Sequence, residues 1–195
     1  SIEGGGVEKN LFIISNYLAK RVKKLSLITI SKKYKNRFKK PIRFISPNSK
    51  AWDKFGRRVK YFLALIMLMK EIISDKNVTV FSFQANIYCI IICKIFSVRV
   101  ISRSNSAPIG WSKNLIKKKI FKYFLKKADK TIVNSKEFKK DLKKEFNVNA
   151  ICIYNPLDKD EIYKKSKIKY KNFFKSKNKL RILNIGRFTD QKDQI

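Results

Sequence analysis

The chain has 195 residues, with 47 Lys and Arg against 14 Asp and Glu for a formal charge of +33, and it contains no histidine. A hydrophobic share of 44% excludes an intrinsically disordered chain, and the lack of histidine argues against hydrolytic triads and most zinc chemistry. The three cysteines, Cys89, Cys93 and Cys152, show no CxxC or other metal-ligand spacing and fit reduced core thiols of a cytosolic protein.

The chain opens on Gly4-Gly5-Gly6 just ahead of a helical pattern in which Leu11, Ile14, Tyr17 (or Leu18) and Arg21 recur on one face. Glycine at a helix N-terminus lets backbone N–H groups approach an anion, where the helix dipole favours it. Residues 1–3 read as the end of a first strand. Leu25–Ile30 alternates and is rich in β-formers, a strand. A basic loop over 31–41 ends at Pro41, Ile42–Ile45 is a short strand, and Pro47–Trp52 is a turn. From Val59 a helix follows with Phe62, Leu63, Ile66, Met69 (or Lys70) and Ile73 as its apolar positions. Its apolar centre falls well below the roughly 18 residues that would span a bilayer.

Val78–Phe83 is the next strand, and Ile87–Phe96 an apolar helix that carries Cys89 and Cys93 one turn apart. Val98–Ile101 is a strand leading into a polar loop, Ser102-Arg103-Ser104-Asn105-Ser106-Ala107-Pro108. Ile116, Ile120, Tyr123 and Phe124 then mark an amphipathic helix whose other face is lysine. Thr131–Val133 is a strand, and Asn134 with Glu137 suggests a capping box for a helix with Phe138, Leu142 and Phe146 inward. Ala150–Tyr154 is a strand that runs into Asn155-Pro156-Leu157-Asp158. Residues 159–179 read as a linker with about one helical turn. Leu180–Ile185 is a buried strand ending at Gly186, with Arg187 and Lys192 in the loop beyond.

Strands and helices alternate throughout, which predicts an α/β chain with a doubly wound, mostly parallel sheet. Ligands of such sheets sit beyond the carboxyl ends of the strands. The loops Gly4–Glu8, Ser102–Pro108, Asn134–Ser135, Asn155–Asp158 and Gly186–Lys192 are therefore the candidate site, and their Gly, Asn, Ser and cations suit a phosphate-bearing or sugar-like ligand.

Taken in order, Gly-Gly-x-Glu, Ser-Arg-Ser-Asn, Ala-Asp-Lys-Thr-Ile-Val-Asn-Ser, Ile-Tyr-Asn-Pro-Leu-Asp and Leu-Asn-Ile-Gly-Arg-Phe-x3-Lys resemble the family four glycosyltransferases of the GT-B fold, over essentially the whole chain. The resemblance implies two Rossmann-like domains facing a cleft, the N-terminal one for the acceptor and the C-terminal one for the nucleotide sugar. On that footing residues 1–158 are the acceptor-side domain, 159–179 the linker, and 180–195 the first strand and phosphate loop of a donor domain, with both ends of the chain truncated.

By the same resemblance Gly5 and Gly6 approach the donor phosphates and Glu8 is the acidic residue beside them. Arg187 and Lys192 clamp the donor diphosphate, where preorganised cations stabilise a leaving group that gains charge. Arg103 and Asn105 stand where many members carry an active-site histidine and, with Glu8 and Asn155, are acceptor-side candidates. The implied activity is retaining sugar transfer to a lipid-linked or polysaccharide acceptor in surface-glycan synthesis. It needs no metal or cofactor beyond the nucleotide-sugar substrate. The family's Glu-x7-Glu donor motif lies beyond Ile195, so the fragment alone is expected not to transfer sugar.

The charge admits three readings: A+T-rich coding bias, docking on an anionic membrane surface, or nucleic-acid binding. Lysine greatly outnumbers arginine and is spread over every predicted helix, unlike a base-reading surface. The expected location is cytoplasmic, peripheral on the inner face of the cell membrane. The alternative function is a basic nucleic-acid- or membrane-surface-binding α/β module without catalysis. A nicotinamide- or flavin-type Rossmann enzyme would show G-x-G-x-x-G with an acidic residue about 20 positions on, and this sequence has no such pattern.

Overall fold

A computed structural model of the chain describes residues 6–31, 35–39, 41–105, 115–169 and 180. Contacts divide the chain into two compact units, Ser1–Leu157 and Asp158–Ile195. Residues 1–5, 106–108 and 181–195 lie outside the described residues, and with them the expectations for residues 1–3, Gly5, the end of the loop Ser102–Pro108, the strand Leu180–Ile185, Arg187 and Lys192.

In the first unit the elements run α1 (Gly6–Leu18), β1 (Leu25–Ile28), β2 (Ile42–Ile45), α2 (Arg57–Ser74), β3 (Thr79–Ser82), α3 (Asn86–Ile95), β4 (Arg99–Arg103), α4 (Leu115–Leu125), β5 (Lys130–Val133), α5 (Lys136–Phe146) and β6 (Ala150–Cys152). Short 3-10 turns occupy Lys35–Arg37 and Lys50–Lys54, inside the predicted loop and turn. All strand pairs are parallel, as the alternation of strands and helices requires. The pairing forms two sheets rather than one: β1 beside β2, and β3-β4-β5-β6 in chain order.

Because each strand of the larger sheet lies beside its predecessor, right-handed crossovers place α3, α4 and α5 on one face. Packing agrees: α2 lies on α3, α3 on α4, and α4 on α5. The main core fills the space beneath them with Leu68 and Ile72 of α2, Ile90 and Cys93 of α3, Val100 of β4, Leu125 of α4, Val133 of β5, and Phe138, Leu142 and Phe146 of α5. A second, smaller cluster covers β1 and β2. Phe38 meets Phe12 of α1 at 4.9 Å and Phe44 of β2 at 5.1 Å between ring centroids, both edge-on, a favoured aromatic geometry. The side chain of Asn16 pins the intervening turn, donating to the Arg37 carbonyl at 3.0 Å and accepting from the Lys39 N–H at 2.6 Å.

Several sequence expectations shift. The buried residues of α1 are Glu8, Asn10, Phe12 and Ser15, while Tyr17 is exposed. On α2 the buried residues are Leu68 and Ile72, while Phe62 and Ile73 face out. The cap of α5 is Ser135, whose hydroxyl accepts from the Phe138 N–H at 3.0 Å, and not Asn134. This places the cap three residues before the first inward aromatic, where the hydroxyl reaches an otherwise orphaned N–H.

In the second unit α6 (Lys159–Ser166) forms within the predicted linker. Asp158 caps it by accepting from the Glu161 N–H at 2.9 Å, and Glu161 pairs with Lys165 one turn on at 2.6 Å. Among the described residues no helix is long and apolar enough to cross a membrane.

Candidate functional site

At the carboxyl end of β4 stands Arg103, whose side chain meets the segment after β6 and whose backbone is tied to the end of β3. Sequence reading places it in a polar loop. In the structure β4 continues through Ser102 and Arg103, and Arg103 is 1% exposed, the largest fully buried side chain among the described residues. Its Nη2 donates to Asn155 Oδ1 at 2.9 Å and, more weakly, to the Ile153 carbonyl at 3.4 Å. Among the described residues its Nε has no partner and no carboxylate is paired with it. Burial pulls the guanidinium pKa down from its ordinary value. A buried cation normally carries an acid, because removing the charge from water costs several kcal/mol. Here only neutral oxygens meet it.

The backbone at Arg103 is held by amides. Asn105 Nδ2 donates to the Phe83 carbonyl at 2.9 Å and to the Arg103 carbonyl at 3.4 Å. Asn86 Nδ2 donates to that same Arg103 carbonyl at 2.9 Å, and the Ser82 hydroxyl donates to Asn86 Oδ1. The ends of β3 and β4 and the start of α3 are thus bound together. Two further polar atoms of this cluster, Ser104 Oγ and Asn105 Oδ1, are buried without partners. Buried polar groups are almost always satisfied, so three unpartnered atoms on three consecutive residues leave hydrogen-bonding capacity at the carboxyl end of β4 that the described residues do not use.

The N-terminus of α1 joins this assembly through Glu8. Its carboxylate accepts from Gln84 Nε2 at 3.3 Å, directly after β3. Glu8 is buried on the inward face of α1, one turn before Phe12. Gly6 is the first helical residue and exposed, and a Cβ placed there would meet nothing within 4 Å. The packing of the fold therefore does not require glycine at that position.

Ala85, between Gln84 and α3, adopts the left-handed region with φ 54°, an uncommon conformation for a residue with a Cβ. It turns the chain sharply so that Gln84 and Asn86 serve different partners. The nearby Cys89 thiol is pushed up to about 11 by burial, with a smaller opposing contribution from Ser82. Cys93 is pushed up to about 12, first by burial and then by Cys89. Neither is a thiolate at neutral pH, which suits packing and not nucleophilic attack.

Of the residues singled out from sequence, the structure links Arg103 to Asn155 directly, ties Asn105 to the ends of β3 and β4, and brings Glu8 to Gln84 beside them. Gln84, Asn86 and the Phe83 carbonyl were missed. Their signal was two amides set between an apolar strand and an apolar helix, where neither element needs them. The arrangement offers an unmatched buried cation, amide and hydroxyl groups and a carboxylate, a set able to hold a polyol bearing an anionic group.

A family model described as Glycosyltransferase Family 4 matches residues 4–161, more than half of the chain. No curated protein matches it.

Proposed function

The chain belongs to glycosyltransferase family 4, and on that footing we propose that residues 1–158 form the acceptor side of a retaining transferase. The enzyme moves a sugar from a nucleotide-sugar donor to a lipid-linked or polysaccharide acceptor in surface-glycan assembly. The observation that carries this reading is Arg103, buried at the carboxyl end of β4 with Nε unpartnered and without a carboxylate among the described residues. An acceptor with a phosphate or carboxylate would supply the missing charge, and Asn105, Asn155 and Glu8 are the proposed partners for its hydroxyls.

In the reaction the bond between the anomeric carbon and the donor diphosphate breaks as an acceptor hydroxyl oxygen takes its place, the hydroxyl proton passing to the departing diphosphate oxygen. Negative charge collects on the leaving nucleoside diphosphate. Arg187 and Lys192 are the proposed clamp for it, Arg by a planar fork and Lys as a point charge. The N-terminus of α1 presents N–H groups beside glycine, where a phosphate oxygen approaches without meeting a Cβ. No protein nucleophile is invoked, and the two thiols in the α3 core are protonated at neutral pH.

The test is sugar transfer by the complete reading frame that contains this chain, offered a panel of nucleotide sugars with glycolipid acceptors. Acceptor-dependent release of nucleoside diphosphate, with the product anomer matching the donor, is the expected result. Arg103→Met should then lower kcat/KM roughly thirty- to hundred-fold, the loss expected for one charge-assisted hydrogen bond. Inversion at the anomeric carbon, or unchanged kcat/KM in a folded Arg103→Met protein, would overturn the assignment.

A further inference from the structure

The helical layer of the first unit is uneven on its outer side. On α5 the exposed positions are Lys136, Glu137, Lys139, Lys140, Lys143 and Lys144, and all three apolar side chains, Phe138, Leu142 and Phe146, turn inward to the core. That is an ordinary solvated helix. Its neighbours α3 and α4 differ. With Ile90 and Cys93 buried, the opposite face of α3 presents Tyr88 and Ile95, the latter 72% exposed, on one stripe seven residues apart. On α4 only Leu125 is buried, while Leu115, at 75%, Ile116, Ile120 and Tyr123 are exposed.

These apolar residues share one surface. Lys118 of α4 pairs with Glu145 of α5, so that flank of α4 faces α5. By helical spacing Ile116, Ile120 and Tyr123 lie on the flank away from Lys118, toward α3, on which α4 packs. Interleaved with them stand Lys117, Lys119, Lys122 and Lys126, all exposed, and neither α3 nor α4 contains an acidic residue. A patch that pairs bulky apolar residues with lysine alone is complementary to a layer that is apolar within and anionic at its surface.

We propose that the outer face of α3 and α4 docks on an anionic phospholipid bilayer, with Tyr88, Ile95, Leu115, Ile116, Ile120 and Tyr123 entering the headgroup boundary and the α4 lysines meeting the phosphates. This deepens the lipid-linked acceptor reading, since an enzyme held this way works at the surface where such acceptors reside. The docking itself requires no turnover, so a vesicle assay can fail or succeed independently of any transferase assay. Long lysine side chains suit the role: their stems lie along the apolar residues while the ammonium groups reach the phosphate plane.

The experiment is co-sedimentation of the chain with vesicles of phosphatidylcholine alone or mixed with phosphatidylglycerol, using variants whose circular dichroism matches the parent. Binding is expected only to the mixed vesicles. Ile95→Ser with Ile120→Ser, which leaves the charge unchanged, should weaken partitioning at least about tenfold, as the removal of buried apolar surface requires. Lys119→Gln with Lys122→Gln should weaken it on the order of thirty-fold. The same charge loss on α5, Lys139→Gln with Lys140→Gln, should cost less than about threefold because those lysines stand away from the bilayer.

Equal loss from the α5 pair would reduce the interaction to general attraction of a basic chain and overturn the proposal. So would equal binding to neutral vesicles. Sedimentation velocity supplies the remaining outcome: a dimer dispersed by Ile95→Ser with Ile120→Ser would assign the face to a second copy of the chain.

Discussion

Replacing Arg103 by methionine removes a buried cation while keeping much of its length. In a protein where such a cation is matched by an acid, breaking the pair costs about 3–5 kcal/mol. Arg103 has no such acid among the described residues. Its native interactions are one good hydrogen bond at 2.9 Å and one long one at 3.4 Å, both to neutral oxygens. Losing them costs about 1.5–3 kcal/mol, and leaving Asn155 Oδ1 without its donor adds about 1–2 kcal/mol. Against this, methionine relieves a desolvated charge worth several kcal/mol and an orphaned Nε worth about 1–3 kcal/mol. The terms nearly cancel, and stability should stay within about 1.5 kcal/mol of the parent in either direction. Urea unfolding followed by circular dichroism measures it. A loss above about 3 kcal/mol would show that the guanidinium is matched in the resting fold, and the argument that it waits for an anion would fail.

Two further predictions follow from the same physical reasoning. Gly6→Ala should leave stability unchanged or raise it by about 0.5–1 kcal/mol, because the site is open and alanine is the better helix former, while weakening any phosphate bound at α1; thermal melts with and without nucleoside diphosphate separate the two effects, and a destabilised variant would refute the open site. At Asp129 burial opposes ionisation, but hydrogen bonds from Lys94 Nζ and the Val100 N–H, both 2.8 Å, outweigh it and hold the carboxyl below its ordinary 3.8. A depressed carboxyl stabilises above its unfolded pKa, so the contribution should be complete above about pH 4 and fade as pH falls through the folded value; Asp129→Asn should cost about 1–2 kcal/mol at pH 7 and flatten the acid limb of the stability curve, and an unchanged limb would contradict this.

The alternation of apolar strands with helices carried the α/β class and the parallel pairing, because successive strands separated by a helix pair most readily side by side and parallel. On α5 the inward face was legible as well, since Phe138, Leu142 and Phe146 are its bulkiest side chains and nearly all else is charged. The faces of α1 and α2 were not. On α2 nearly every central residue is apolar, so periodicity offers no contrast and tertiary packing decides. On α1 the inward stripe includes Glu8 and Ser15, polar residues that a search for apolar spacing passes over. The same blindness hid the state of Arg103. A cation among Ser and Asn reads as loop, and only the extension of β4 by two residues, with Asn155 arriving from a segment fifty positions away, makes it buried. Local pattern cannot report a contact of that range.

The order of the larger sheet bears on how the chain assembles. Since β3, β4, β5 and β6 lie side by side in the sequence in which they are synthesised, each strand emerging from the ribosome finds its partner already laid down and its crossover helix just completed. No strand of that sheet has to wait across a long interval with both edges bare, and none must insert between two that have already paired. Growth proceeds by addition at one edge, which keeps loop closures short and limits the time that sticky apolar strands spend open to other chains.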